Sequence, residues 1–226
     1  MSSSIKPIVV HGKFGPNPPK VYMLLNELGL PHTGIPHDPA VIKQEPYISL
    51  INPNGRIPAI EDPNTNLTLW ESGAILEYLV ETYDKDHKVS FAAGSKESHL
   101  ARQWLFFQTT GQGPYFGQFV WFSRHHEPKV PSAVERYAKE INRVTGVLEK
   151  HLSWQPEDAD GNRWLVGRRY SFVDLAFVPW QYHAGKLAKD YYKIDAYPHV
   201  EKWFEALMAR PAIKKVLNED MPPPSS

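Results

Sequence analysis

Two spacings of apolar residues alternate through the first third of this chain. Ile8-Val9-Val10 is a compact apolar run, and the pattern predicts a strand over 7–11. In GPNPPKVYMLL, residues 15–25, a helical period takes over. The expected helix covers 18–29, with Asn17 at the N-cap, Pro18 at the first helical position and Gly29 just past the end. A second strand is expected over Thr33–His37 and a short helix or turn over 44–50, followed by the turn chemistry of INPNGR. The runs Ile57–Ile60 and Leu67–Leu69 flank a polar DPNTN and read as a hairpin. Ile75, Leu76 and Leu79 share one face of a helix over Gly73–Tyr83. The order β-α-β-α-β-β-α needs a parallel crossover in its first half and ends in an antiparallel hairpin and a helix.

Beyond residue 83 the strand period disappears. DKDHKVSFAAGS, residues 84–95, is polar and reads as a linker. Long helical patterns cover 96–125 and 130–153; Gly111, Gly113 and Pro114 predict a kink or break in the first. PEDADGN is a loop, Ser171-Phe-Val-Asp174 opens another helix, and a further one covers Tyr197–Met208. The expected fold class is α/β plus all-α: an α/β domain over 1–83, a linker over 84–95, a helical bundle over 96–219 and a frayed tail over 220–226.

Composition narrows the chemistry. The 226 residues are 42% hydrophobic and 22% charged with zero formal net charge, so neither nucleic acid nor an anionic membrane is an expected partner. No apolar run approaches the ~20 residues of a membrane span. MSSSIKPIVV lacks a charged start followed by an apolar segment, and a cytoplasmic location is the expectation. There is no cysteine, which excludes disulfides, thiolate metal sites and a cysteine nucleophile. His125 and His126 are adjacent and face different ways on a helix, with no further ligand in spacing, so no metal is expected.

Several positions carry candidate chemistry, each with a plain alternative. Pro58 begins a strand, where a proline is at home; with a cis bond, the backbone of Ile57 would instead be available to an extended, peptide-like ligand. Ser72 sits at a helix start beside Glu71. It is either a cap with a dipole-friendly acid, or the two together receive the carboxylate and ammonium of an amino acid. Ser171-x-x-Asp174 has the form of a capping box with Asp in place of Glu. Trp104, Phe107, Phe116, Phe119, Trp121 and Phe122 supply core, and some could line a pocket near Gly113-Pro114.

Taken in order, GPNPPKVYMLLNELGL, NPNGRIPAIED, LWESGAILEYL, WLFFQTTGQGPYFGQ, SAVERY and WLVGRRYSFVDLAFVPW resemble the glutathione transferases over about residues 5–219. They are most similar to the fungal branch related to the yeast nitrogen-regulator and prion protein. The sequence has no Asn/Gln-rich segment, so prion behaviour is not implied. The resemblance implies a thioredoxin-like first domain, a helical second domain, a homodimer and glutathione as co-substrate. It implies that Ile57 pairs with the cysteinyl backbone next to Pro58, that Glu71 and Ser72 hold the γ-glutamyl end, and that Lys43 and Arg56 are candidates for the glycyl end. It implies an apolar electrophile as second substrate, for which Phe14, Phe116, Phe119 and Arg124 are candidates, and it gives Ser171-x-x-Asp174 a role in nucleating the helical domain.

Many relatives activate the thiol with Tyr, Ser or Cys near the first helix. Here Gly15 stands where related branches carry serine, and Asn17 is the residue the resemblance points to as catalytic. Its amide can donate a hydrogen bond to sulfur but cannot act as a base. Pro18 and Pro19 remove two N–H donors from the same helix start, which raises the dependence on that side chain. Asn17 as a helix cap alone remains the plain alternative. The activity implied is thiol transfer to an electrophile or reduction of a peroxide. The competing reading is a glutathione-binding regulatory module with little catalysis. Redox chemistry through a protein thiol is excluded by the absence of cysteine.

Overall fold

A computed structural model describes residues 5–219, which divide into two compact units. The first runs to Ser90 and resumes at Arg210; the second is Phe91–Ala209.

In the first unit, strand β1 (Ile8–His11) leads to helix α1 (Pro18–Glu27) and strand β2 (His32–Ile35). A 3-10 turn (Val41–Lys43) and the one-turn helix α2 (Tyr47–Leu50) follow. Strands β3 (Ala59–Asp62) and β4 (Leu67–Trp70) form the expected hairpin and feed helix α3 (Ser72–Tyr83). The sheet order is β2-β1-β3-β4; β1 runs parallel to β2 and antiparallel to β3, and β3 antiparallel to β4. The parallel crossover through α1 and the antiparallel hairpin are as expected; the central antiparallel pairing of β1 with β3 joins them into one sheet. Gly29 takes φ +65° just after α1, the left-handed conformation that stops a helix at little cost.

The core of this unit comes from alternate residues of β1 (Ile8, Val10), from Ile60, and from Ile75, Leu76 and Leu79 of α3, all fully buried. Gly12 closes β1 with φ +96°, and a Cβ there would come within 2.5 Å of the Ile57 Cβ. No other residue lets the end of β1 pass so close to the loop that carries Ile57.

The second unit is helical among its described residues, as its pattern predicts. Helices α4 (Lys96–Phe107) and α5 (Gly113–Val120) are joined by a π-type turn over Gln108–Gln112. The glycines and proline therefore do not break the helix; one wide turn absorbs them. That turn sets the buried Gln112 amide against the Phe177 carbonyl at 3.3 Å. Helices α6 (Pro131–Trp154), α7 (Phe172–Leu187) and α8 (Pro198–Met208) complete the unit. Its core joins Phe116 and Phe119 of α5 to Ala138, Ile141 and Val144 of α6 and to Trp180 and Ala184 of α7.

Two of the expected boundaries differ. Residues 84–90 are not a free linker: the buried Asp84 carboxylate accepts from the N–H groups of Lys88 (2.8 Å) and Val89 (2.9 Å), and Val89 and Ser90 are buried in turn. The helical bundle expected over 96–219 ends at Ala209, because the last helix, α9 (Pro211–Glu219), belongs to the first unit. There Arg210 grips Glu27 of α1 through two parallel hydrogen bonds of 2.7 and 2.9 Å, and Lys215 donates to Asn26 at 3.3 Å. The tail expected over 220–226 lies outside the described residues.

The Arg210–Glu27 pair is half-shielded, with the Glu27 side chain only 10% exposed. Arg210→Ala leaves that carboxylate short of its fork. The expected result is a loss of about 1–3 kcal/mol, between the values for exposed and buried pairs. A lower urea midpoint with an unchanged m-value reports it.

Candidate functional site

The loops at one end of the first unit's sheet enclose a polar recess. It is lined by Asn17, Asn52, Asn54, Arg56, Ile57, Pro58, Glu71 and Ser72. Three separate stretches of sequence meet there: the start of α1, the INPNGRIP turn and the start of α3.

The turn is held from behind. The Arg56 backbone carbonyl accepts from the Tyr47 hydroxyl (2.9 Å) and the Asn52 side-chain amide (2.8 Å), and the Asn52 side-chain Oδ1 accepts from the Asn54 N–H (2.9 Å). The Ile57–Pro58 bond is cis. Pairing between β1 and β3 begins at Ala59, so Ile57 stands outside that ladder. Lys43 does not line the recess. Its aliphatic stem passes over Gly55, where a Cβ would meet its Cδ at 3.3 Å, and the residue is exposed.

At the third stretch the plain capping reading fails. Glu71 occupies the N-cap position of α3 with φ +72° and ψ 115°, and its side chain makes no cap hydrogen bond. A bulky residue at positive φ is uncommon and costs on the order of 1–3 kcal/mol. Glu71 lines the recess, and its side chain does not satisfy the helix start. Ser72 is the first helical residue and is buried. The first N–H groups of α3 have no intrahelical partner, so this end favours an anion. A carboxylate and an anion-favouring helix start thus adjoin, which suits a zwitterionic head group.

Asn17 lies across the recess. It occupies the N-cap position of α1 with helical φ −95° and ψ −42°, and its side chain makes no cap hydrogen bond. Pro18 and Pro19 follow, so the first N–H of the helix interior is that of Lys20, bonded to the Asn17 carbonyl at 3.3 Å.

Lys20 was not among the expected site residues. Its side chain is 2% exposed, and its Nζ lies 3.4 Å from Ser72 Oγ. Burial pushes its ammonium down to about 7, against the pull of the Glu71 carboxylate. The sequence held one signal: Lys20 is the only charge in FGPNPPKVYMLL, on a helix whose first eight residues are all buried.

The candidates for a second-substrate pocket do not form one group. Phe14 is an exposed loop residue of the first unit. Phe116 is 2% exposed and packs edge-on against Trp180 in the second unit's core, which corrects its assignment as a pocket residue. It lies on the face of α5 that meets α6 and α7. Phe119 and Arg124 do share a recess of that unit, together with Phe122, Lys129 and Tyr191. No cluster of three or more His, Cys, Asp or Glu among the described residues is placed to hold a metal ion. None of the described helices is long and apolar enough to cross a membrane.

Comparison with known proteins gives one consistent result. Residues 14–82 match the N-terminal domain of glutathione S-transferases and residues 112–211 their C-terminal domain. The chain is 57% identical to the glutathione S-transferase-like protein tpcF of Aspergillus fumigatus over 221 residues, covering 96% of this chain and 98% of that protein. Among solved structures, it is similar to the glutathione transferase URE2P6 of Phanerochaete chrysosporium in complex with oxidized glutathione. That likeness has a TM-score of 0.87 and 44% identity, over 97% of this chain and 98% of that one. It is also similar to Ure2p in complex with glutathione, with a TM-score of 0.86 and 35% identity over 96% of each chain.

Proposed function

The chain belongs to the glutathione S-transferase family, and from that premise we propose that the recess of the first unit binds glutathione and activates its thiol. The observation that carries this reading is the meeting of Asn17, Ile57, Glu71 and Ser72 around one polar recess. In it the Glu71 carboxylate takes the γ-glutamyl ammonium, and Ser72 with the start of α3 takes the neighbouring carboxylate. The backbone of Ile57 pairs with the cysteinyl residue, which brings the sulfur toward the start of α1. Arg56, with Lys43 beside the same turn, attracts the glycyl carboxylate.

The reaction is transfer. The thiol proton leaves to solvent, the thiolate forms a bond to an electrophilic carbon, and the leaving group departs with its electron pair. Asn17 holds the thiolate by hydrogen bonding and takes no proton. Reduction of a peroxide to an alcohol and water, with two glutathiones oxidised to one disulfide, is a second use of the same thiolate. The reading carries an apolar electrophile as second substrate and a cytoplasmic homodimer as the working form.

The test is a titration of the protein–glutathione complex across pH, followed by thiolate absorbance in the ultraviolet. A bound thiolate is expected well below the free thiol pKa of ~8.5. Binding without that displacement supports a regulatory module with little catalysis. Absence of binding overturns the assignment of the recess.

A further inference from the structure

We propose that Lys20 is a positioning residue for the γ-glutamyl carboxylate of glutathione, acting through the Ser72 hydroxyl from behind the recess wall; this rests on the glutathione reading above. An ammonium has three donors and no acceptor. In the 3.4 Å contact between Lys20 Nζ and Ser72 Oγ, the serine must therefore accept. Its single hydroxyl proton is left to point elsewhere. Ser72 lines the recess, and the lysine lies behind it, almost wholly buried. A carboxylate entering from the recess side meets a hydroxyl already turned to donate.

The charges alternate in the same sense. Glu71 and Lys20 are the protein's pair, and an α-amino acid head group brings an ammonium for the first and a carboxylate toward the second. A buried cation is costly to keep. A helix that needed only packing at this position would do better with Leu or Met between Pro19 and Val21. The low position of the ammonium, near 7, fits a group held at a desolvation cost by its burial. An arriving carboxylate offsets that cost, which makes the charge of Lys20 worth most when the ligand is present.

This role predicts selectivity for one functional group, and one pair of ligands reads it. They are glutathione and its analogue with a γ-aminobutyryl in place of the γ-glutamyl group, which lacks only that carboxylate. Calorimetry gives Kd for both on the wild-type protein and on Lys20→Met, whose unbranched apolar side chain suits a buried site. Lys20→Met is expected to weaken glutathione about 10- to 100-fold, the range of a hydrogen bond to a charged group, and to leave the analogue within about twofold. Ser72→Ala should lose the same discrimination, and Lys20→Met should add little in that background.

Equal loss of both ligands in a Lys20→Met protein that melts normally would mean a structural role and overturn the proposal. So would unchanged binding of both. Should Lys20→Met not fold, Ser72→Ala decides alone: retained discrimination between the two ligands overturns the proposal. A wild-type protein that binds neither ligand removes the glutathione reading and this role with it; one that binds both while the variants behave as wild type removes this role only.

Discussion

Asp174→Ala is expected to cost about 4 kcal/mol of stability, a large share of the 5–15 kcal/mol that holds a typical domain. Asp174 is 0% exposed and is the acceptor for four donors. The backbone N–H groups of Leu165 (2.9 Å) and Ser171 (3.0 Å), the Ser171 hydroxyl (2.9 Å) and the Trp203 indole N–H (2.9 Å) all point at its two oxygens. It thereby ties the start of α7 to the loop before it and to α8. Truncation strands several buried donors at about 1–3 kcal/mol each and removes half of the capping box. The losses share one hub and do not add in full. Asp174→Asn keeps one acceptor oxygen and should fall between the two. Urea unfolding followed by tryptophan fluorescence measures all three proteins.

The same carboxyl gives the comparison a pH signature. Burial pushes it up to about 6, and its hydrogen bonds work against that rise. In the unfolded chain it titrates near the ordinary ~3.9. Between those values the folded protein holds more protons than the unfolded one, so stability from this group falls as pH rises. It is fully present below about 4 and is lost as pH passes through 6. The gap between wild type and Asp174→Ala should therefore be wider at pH 4.5 than at pH 7.5. The Ser171 hydroxyl can accept from the protonated form as readily as it donates to the charged one, so no contact need break. An equal gap at both values would mean that Asp174 titrates as an ordinary carboxyl.

What could be read from the sequence was what is decided locally. The strand alternation, the DPNTN turn and the helical period gave the elements of the first unit in chain order, and Ser171-x-x-Asp174 gave the capping box, because each depends on residues within one or two turns of each other; the β2-β1-β3-β4 order of the sheet depends on distant pairing. Asn17, Ile57 and Ser72 were ambiguous locally, each with a plain turn or capping alternative, and it was the resemblance that singled them out; the structure sets all three around one recess. The rest depends on distant partners. Lys20 looks like an ordinary helix lysine until the start of α3, 52 residues on, is placed against it. The α9 segment carries a helical pattern that fits either unit; its docking on the first unit rests on partners far off in the chain, among them Glu27, which holds Arg210 just before the helix from 183 residues earlier. Phe116 and Phe119 have the same character as sequence. Both are buried in the core of the second unit, and only the packing of α5 against α6 and α7 shows that Phe119 also borders a recess.

Asn17→Ala is expected to lower kcat/KM about 10- to 100-fold near pH 6.5, the worth of one hydrogen bond to a charged sulfur. On the proposed reading the nucleophile is the thiolate, and only a few per cent of a free thiol is ionised at neutral pH. Most helix starts would hold such an anion with their first N–H groups. This one has given up two of them to Pro18 and Pro19. The Asn17 side chain makes no cap hydrogen bond and lines the recess, so the work of holding the anion shifts toward its amide. Because an amide supplies no base, its benefit is a lower thiol pKa, and that benefit has a limit. Above pH ~8.5 the thiolate forms unaided. The variant should then recover to within a few-fold of wild type, while its profile at lower pH follows the free thiol. Asn17→Asp keeps the size and sets a negative charge beside the sulfur, so it should be worse than Ala at every pH. A profile for Asn17→Ala that runs parallel to wild type, at any level, would assign the loss to binding geometry; one that coincides with it would return Asn17 to a helix-start residue and move thiol activation elsewhere in the recess.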